Sequence, residues 1–201
     1  MRVIVIEAPA PVVTWEDADA HLELSGDVSQ QVKVEGYIAA ACEHLDGPEA
    51  EAELGRALGL QTLEARFDMW EIGCGLKLPC PPVVDLVRVS YLDVNRQEIT
   101  VDPSDYELID RTVYPIAASW PWEGGYWGRE AVRVRYRAGY VKDPDADPIV
   151  STLPAPIRAA ILLMLGDLYA NRETVAVGVS ATPIGMSTTV EALLGPYRIF
   201  S

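Results

Sequence analysis

The amino-acid sequence predicts an α+β fold, with a helical core of N- and C-terminal helices packed together and an inserted small antiparallel β subdomain. Apolar residues recur at helical spacing near both ends of the chain and alternate over short runs in its middle. With 201 residues, 49% of them hydrophobic, the chain has enough apolar material for a packed interior. The predicted helical parts are residues 1–59 and 141–201, and the β subdomain is residues 60–140.

The N-terminal part predicts three helices after a short apolar lead-in. Thr14 and Asp17 have the spacing of a capping box, which predicts a helix over 15–24. Apolar residues at helical spacing, Val28 and Val32 among them, predict a second helix over 28–45. Residues 48–58 are rich in Glu and Ala behind a proline, which predicts a third helix.

The middle part predicts short strands separated by turns. Residues 62–69 and 83–92 have the composition of strands, and residues 93–96 and 102–105 that of turns. The clearest strand is 131–137, where apolar residues alternate with arginines and the two sets face opposite sides. These strands predict one small antiparallel sheet.

The C-terminal part predicts helices again. Residues 155–171 are apolar nearly all round, so this helix is expected at the centre of the core or between subunits. Residues 177–189 are small and polar and predict a loop, followed by a short helix over 190–194. The tail 195–201 is too apolar to remain free in water, and we expect it to dock on a partner protein.

The charge balance restricts the partners of the protein. Thirty acidic and sixteen basic residues give a formal net charge of −14, and no block of Lys and Arg interrupts it. This balance disfavours tight binding to duplex DNA or to an anionic membrane surface. Three cysteines in no metal-ligand spacing are typical of reduced thiols. The first residues become charged too early for a signal peptide, so we expect synthesis in the cytoplasm.

The sequence carries no pattern that predicts catalysis. Its two histidines, His21 and His44, lie apart from any patterned cysteine or histidine, and no phosphate-binding loop is present. Carboxylate pairs such as Asp17 with Asp19, or Asp102 with Asp105, lie at cap and turn positions that already explain them. No catalytic residue, cofactor or metal is predicted.

Two features are candidate interaction surfaces. The first is an aromatic loop containing Trp120, Trp122, Tyr126 and Trp127. Its rings either cover the small core of the β subdomain, or bind a partner protein, or stack on a sugar. The second is the arginine face of the strand 131–137, expected to be neutralised by carboxylates of a neighbouring strand or of a neighbouring subunit.

Taken in order, several segments resemble the head–tail connector, or adaptor, family of long-tailed bacteriophages and gene transfer agents. The resemblance spans most of the chain, and it departs from the family in a longer acidic stretch over 45–54. The segments are TWEDADAHL (14–22), GRAL (55–58), LPCPP (78–82), VxVxYLD (87–93), DPSDY (102–106), VRVRYRAGY (132–140), PAPI (154–157), LYANR (168–172) and VEALLGPYR (190–198).

The resemblance implies a structural subunit. Adaptors of this kind form rings of about twelve copies beneath the portal, extend the DNA channel and offer a docking face to the tail or its stopper protein. Duplex DNA then passes without specific binding, no membrane is involved, and the protein moves from the host cytoplasm to the neck of the particle. Partner contacts are expected from Tyr197, Arg198, Ile199 and Phe200, and from the aromatic loop. The alternatives are a carbohydrate- or receptor-binding module that uses the aromatic loop, and a small hydrolase that uses paired carboxylates.

Overall fold

A computed structural model describes residues 1–48, 52–68, 75–117, 119–120, 125–126, 128–171 and 187–199. Within these residues the chain forms four α-helices and two antiparallel sheets, so the predicted α+β class is confirmed. The helices are α1 (Trp15–Leu22), α2 (Gln31–Leu45), α3 (Ala155–Ala170) and α4 (Thr188–Leu194). The division into the three parts 1–59, 60–140 and 141–201 stays a prediction.

The eight described strands form a five-stranded sheet and a three-stranded sheet. The larger sheet has the order β1-β2-β8-β4-β5 and the smaller one the order β3-β7-β6. The strands are β1 (Arg2–Glu7), β2 (Gln61–Phe67), β3 (Leu76–Lys77), β4 (Val83–Leu92), β5 (Glu98–Thr100), β6 (Tyr106–Ile109), β7 (Thr112–Pro115) and β8 (Val132–Ala138).

Strand β8 lies at the centre of the larger sheet, and its alternation sets the two faces. Val134 stands opposite Ala65 of β2 and Val89 of β4, and all three side chains are buried. The arginines between these apolar positions are half-buried on the other face, as the sequence predicts. One face of the sheet therefore belongs to the core, and the other carries charge.

Two apolar clusters divide the interior. The first lies among the strands and contains Leu63, Val89, Val113 and Tyr136, so it joins residues of both sheets. The second joins α1 to α4 with the segments on either side of them and contains fully buried residues of α2, α3 and α4. Helices from the two ends of the chain thus pack together, and α3 contacts each of the other three.

The helix boundaries follow the predictions at most positions. The capping box at α1 forms: the Asp17 N–H donates to Thr14 Oγ1, and the Thr14 N–H donates to the Asp17 carboxylate at 2.9 Å. Helix α3 is buried on one side and half-buried over much of the remainder, which agrees with its apolar composition. The apolar stripe predicted over 28–45 is buried only towards its end. Ile38 and Leu45 are buried, whereas Val32 is 83% exposed and Val28, in a 3-10 turn before α2, is 72% exposed.

The helix predicted over 48–58 does not form in its described residues, 48 and 52–58. The backbone bends there instead, and Asp46 and Arg56 form an isolated bridge that turns the chain towards β2. Leu54 and Leu58 are fully buried in the helical cluster, whereas Ala57 is buried among the strands. Burial of this segment between two cores outweighs the helix propensity of its Glu and Ala residues.

Two parts of the sheets were not predicted. The N-terminal lead-in forms β1, which pairs with β2 and gives the larger sheet an edge made by the start of the chain. The middle of the chain forms two sheets rather than one, because β3, β6 and β7 separate from the larger sheet. Both turns are confirmed: Arg96 N–H donates to the Asp93 carbonyl at 2.8 Å, and Pro103–Asp105 forms a 3-10 turn.

Three backbone segments, at Ala10, Gly59 and Gly139, lie in close contact where the sheet meets the helices. A Cβ on Gly59 would lie 2.0 Å from the carbonyl oxygen of Ala10, and a Cβ on Gly139 would lie 2.4 Å from the carbonyl oxygen of Gly59. The Ala10 N–H also donates to the Leu60 carbonyl at 2.8 Å. These contacts fix the segment after β1 against the end of the sheet.

Candidate interaction surfaces

The C-terminal tail begins at the end of helix α4. Ser187 caps this helix, and Val190 and Leu194 are fully buried in the helical cluster. A 3-10 turn at Gly195–Tyr197 follows and directs the chain towards the bend at Leu54. Helix α4 therefore anchors the tail to the body of the chain.

The described tail residues lie against their own chain. The Ile199 N–H donates to the Leu54 carbonyl at 3.2 Å, and the Arg198 guanidinium forms an ion pair with Glu53. Arg56 Nε donates to the Tyr197 carbonyl. Tyr197, Arg198 and Ile199 are each half-buried, so part of their surface stays open to solvent.

The predicted apolar tail thus has a docking place within the isolated chain. Phe200, the last residue of the predicted partner contact, lies outside the described residues. The contact of the tail with a partner protein stays a prediction. The bend over 52–58, which holds the tail, is also the segment where the predicted helix is absent.

The aromatic loop divides into a buried ring and a surface ring. Trp120 is 6% exposed and belongs to the core among the strands. This placement agrees with the prediction that rings of the loop cover the core of the β subdomain. Tyr126 is half-buried and lies beside the β4–β5 turn, where its N–H donates to the Leu92 carbonyl. The Arg96 guanidinium lies 4.8 Å from the centre of the Tyr126 ring and donates to its hydroxyl.

The remaining loop residues of the prediction, Trp122 and Trp127, lie outside the described residues. Trp120 has too little exposed surface to stack on a sugar ring. Partner binding by Tyr126 stays a prediction.

The arginine face of β8 is neutralised within the chain. Arg135 pairs with Glu64 of β2 at 2.9 Å, and Arg133 pairs with Glu98 of β5 at 3.4 Å. Arg137 pairs with Asp85 of β4 and with Asp145. The sequence left open whether a neighbouring strand or a neighbouring subunit neutralises these arginines. Most of the carboxylates that pair with them come from strands of the same sheet.

Glu64 is the most deeply buried carboxylate of this face, with a side chain 4% exposed. Its burial acts to raise its pKa, but hydrogen bonds from Arg135 and Arg66 outweigh burial and hold the pKa of Glu64 below its ordinary value. The carboxylate is therefore charged, and each of its two oxygens accepts a hydrogen bond from one arginine.

One carboxylate of each candidate catalytic pair accepts hydrogen bonds from its own turn or helix end. Asp102 accepts hydrogen bonds from the backbone and hydroxyl of Ser104, and Asp19 accepts one from the Gly26 N–H. In the described part of the chain, no group of three His, Cys, Asp or Glu side chains is placed to hold a metal ion. Among the same residues, no helix combines the length and the apolar character needed to cross a membrane.

A cavity beside helix α2 is the surface that the sequence did not predict. It has a volume of about 870 Å³ and lies between α2, the segment 8–16 and the ends of β1 and β2. On α2 the residues that line the cavity recur at every fourth position, so they share one face of the helix. This recurrence is a signal in the sequence from which the cavity wall was not predicted. The stripe is formed by Gln31, Glu35, Ala39, Glu43 and, beside them, Ile38, Cys42 and Asp46.

Comparison with known proteins gives matches in structure alone. No family model matches the chain, and no curated protein matches it. A chain in the neck of an empty gene transfer agent particle, computed with C6 symmetry, superposes with a TM-score of 0.72. The superposition covers 100% of this chain and 97% of that one, at 22% sequence identity.

The chain has the fold of a gene transfer agent neck chain. A chain in the virion of a native gene transfer agent particle matches with a TM-score of 0.70, at 22% identity over 100% of this chain and 97% of that one. A chain in the neck of a native particle, computed with C12 symmetry, matches with a TM-score of 0.58, at 20% identity over 98% and 96%. The neck-chain fold agrees with the resemblance to head–tail connectors seen in the sequence.

Proposed function

We propose that the chain is a structural head–tail connector subunit, which forms a ring under a portal protein, extends the DNA channel and presents a face to the tail. The observation that carries the proposal is the match to neck chains over the whole length of this chain, at a TM-score of 0.72. The match runs from end to end of this chain and over 97% of the other, so it covers the whole fold and not one part of it. On this proposal the protein has no catalytic role.

The distribution of exposed apolar residues supports a ring. A ring needs two different patches on each subunit, one for each neighbour. Large apolar side chains are exposed at several separate places on this chain, beyond what its two clusters bury. They include Val5 and Ile6 on β1, Val28 before α2, Val32 in its first turn, Ile109 at the end of β6, and Ile116 directly after β7.

The charge of the chain suits a channel through which DNA moves. A net charge of −14 repels duplex DNA, and the arginines of β8 are already paired with carboxylates. DNA is therefore expected to pass the ring without binding to it.

The proposal is tested by assembly with the portal protein of the same particle. The purified chain is mixed with portal rings and imaged by electron cryo-microscopy after removal of unbound protein. We expect a ring of the chain, of about twelve copies, on one end of the portal. A portal that stays bare at high protein concentration contradicts the proposal.

The tail is expected to contribute to this contact. Tyr197 packs on the helical cluster, but Arg198 and Ile199 are held by one ion pair and a backbone hydrogen bond, so these two can exchange their contacts at the bend for contacts with a partner. Deletion of residues 195–201 should therefore weaken assembly on the portal while leaving the fold intact. The matched control is Glu53→Gln, which removes the ion pair to Arg198 and leaves every residue of the tail in place. Undiminished assembly of the deletion variant would refute a role for the tail.

A further inference from the structure

We propose that the cavity beside α2 is a docking groove for a basic, apolar segment of a partner protein. We call it the α2 groove, bounded by the α2 stripe from Gln31 to Asp46 and by the segment 8–16. Fifteen residues of helix rise about 22 Å, so the groove is long enough for a short helix or an extended peptide. The inference does not rest on the neck role, since it uses only the shape and charge of this chain.

The walls of the α2 groove are fixed before any partner binds. On one side, the Ala10 N–H donates to Leu60, and Gly59 allows the two backbones to approach. Behind this wall, Arg158 of α3 forms an ion pair with Asp17 at 2.5 Å, and neither residue lines the cavity. The opposite wall is a regular helix whose other side is buried in the helical cluster. A preformed groove loses little conformational entropy on binding.

The floor of the groove is apolar. Val12, Val13 and Ile38 are at most 8% exposed, and they line the cavity together with Leu63 and the half-buried Trp15. Such a floor accepts apolar side chains from a bound segment, because their burial removes further apolar surface from water.

The rim is acidic and lacks compensating charge. Among the described residues that line the groove, four are carboxylates, Glu16, Glu35, Glu43 and Asp46, and none is Lys or Arg. In the described residues none of the four takes part in an ion pair, whereas Glu64, Asp85 and Glu98 of the larger sheet pair with arginines. The single lysine of α2, Lys33, lies over the rings of Tyr37 and Tyr169 instead.

The spacing of these carboxylates points to a polypeptide. Glu35 lies on α2 and Asp46 caps its C-terminal end, and the eleven positions between them correspond to about 17 Å. A single small cation cannot reach both, but basic side chains at successive turns of a bound segment can. Apolar side chains between them would enter the floor, as in other grooves that bind amphipathic helices.

The probe is a synthetic 16-residue amphipathic peptide of Leu, Ala and Lys, and the control peptide has Glu in place of Lys. Binding to the full chain is measured by fluorescence anisotropy in moderate salt. We expect the basic peptide to bind and the acidic one not to bind. Failure of the basic peptide to bind at millimolar concentration overturns the proposal.

Variants separate the groove from the general acidity of the chain. Glu35→Lys with Glu43→Lys cancels the formal charge of the four rim residues and should weaken binding of the basic peptide by roughly tenfold or more, because two attractive contacts become repulsive. Ala39→Trp fills the groove and should weaken binding without any change of charge. The control, Glu107→Lys with Glu191→Lys, makes the same charge change on exposed positions outside the groove and should retain binding.

Two results would overturn the proposal even if the peptide binds. Equal weakening by the rim variant and its control would mean that the net charge of the chain attracts the peptide. Self-association of the wild-type chain that the rim variant abolishes, measured by sedimentation, would mean that a second copy occupies the groove.

Discussion

At the scale of single residues, the sheet is stabilised by charges that sequence alone does not pair. Glu64 is nearly buried and accepts hydrogen bonds from Arg135 and Arg66, both at 2.9 Å. The three residues lie on adjacent strands, and Glu64 stands directly opposite Arg135 in the register. Alternation along β8 predicts where the arginines point, but only the strand order shows which carboxylate meets each one.

The charged form of Glu64 should make stability depend on pH. Since the pKa of Glu64 is lower in the folded chain than in the unfolded chain, its contribution is present above the unfolded pKa. That contribution is lost as pH falls through the lower, folded pKa. Glu64→Gln should cost about 2 kcal/mol at pH 7 and progressively less below pH 4.5, as measured by urea unfolding.

Glu107 provides the matched control, because it is exposed and pairs with no arginine in the described part of the chain. Glu107→Gln should change the free energy of unfolding by less than about 0.5 kcal/mol at either pH. If the cost of Glu64→Gln is the same at pH 3 as at pH 7, the charge of Glu64 is not what stabilises the sheet.

Cys42 offers a second prediction for a single residue. Burial, followed by the nearby carboxylates of Asp46 and Glu43, raises the pKa of the Cys42 thiol to about 12. At pH 8 almost no thiolate is present, so alkylation by iodoacetamide should be at least about a hundredfold slower than in the unfolded chain. Peptide mapping by mass spectrometry measures the rate at this cysteine alone, and equal rates in folded and unfolded protein would contradict the raised pKa.

At the scale of secondary-structure elements, local patterns predicted α1, β4, β8 and α3 because each carries its own signal. The capping box, the alternation of β8 and the apolar run of α3 are all complete within a few residues. Strand β1 was missed because what makes it a strand is its pairing with β2, some sixty positions away. The α2 groove was missed for the same reason, since its two walls meet only in the fold.

The segment 48–58 shows the limit of local propensity. Its Glu and Ala residues favour a helix, but Gly55 adopts a positive φ of 63° and Leu54 is buried against the helices. Ala57 is buried on the side of the strands, so the segment joins the two clusters. A regular helix over these residues would have to give up one of the two contacts.

The junction at Gly59 gives a prediction for this element. Gly59→Ala brings a Cβ to within 2.0 Å of the Ala10 carbonyl oxygen, which the backbone cannot relieve easily. We expect a loss of about 2–4 kcal/mol in the free energy of unfolding. The control is Gly36→Ala on α2, where a Cβ meets nothing within 4 Å and removal of a helical glycine should stabilise by about 0.5–1 kcal/mol. Similar effects of the two substitutions in urea unfolding would contradict the close contact.

At the scale of the whole molecule, opposite charges are sorted into different places. The arginines of β8 form ion pairs with carboxylates on the sheet. Among the described residues, the carboxylates of the α2 groove form no ion pair with a Lys or Arg. The excess negative charge is therefore available on the surface. It repels nucleic acid and attracts basic partners by the same long-range field.

This sorting predicts that the chain does not bind duplex DNA even under conditions that favour binding. Non-specific binding needs cations that displace counterions from phosphates, and the arginines of the sheet are already in ion pairs. With a net charge of −14, a 20-base-pair duplex in about 50 mM salt should show no change in fluorescence anisotropy up to about 100 µM protein. The basic peptide used for the α2 groove should bind the same duplex and so controls the assay. Saturable binding by the chain that weakens as salt is raised would contradict this prediction, because it would mean that cations of the chain reach the phosphates. A channel lined by such subunits would hold DNA rather than let it pass.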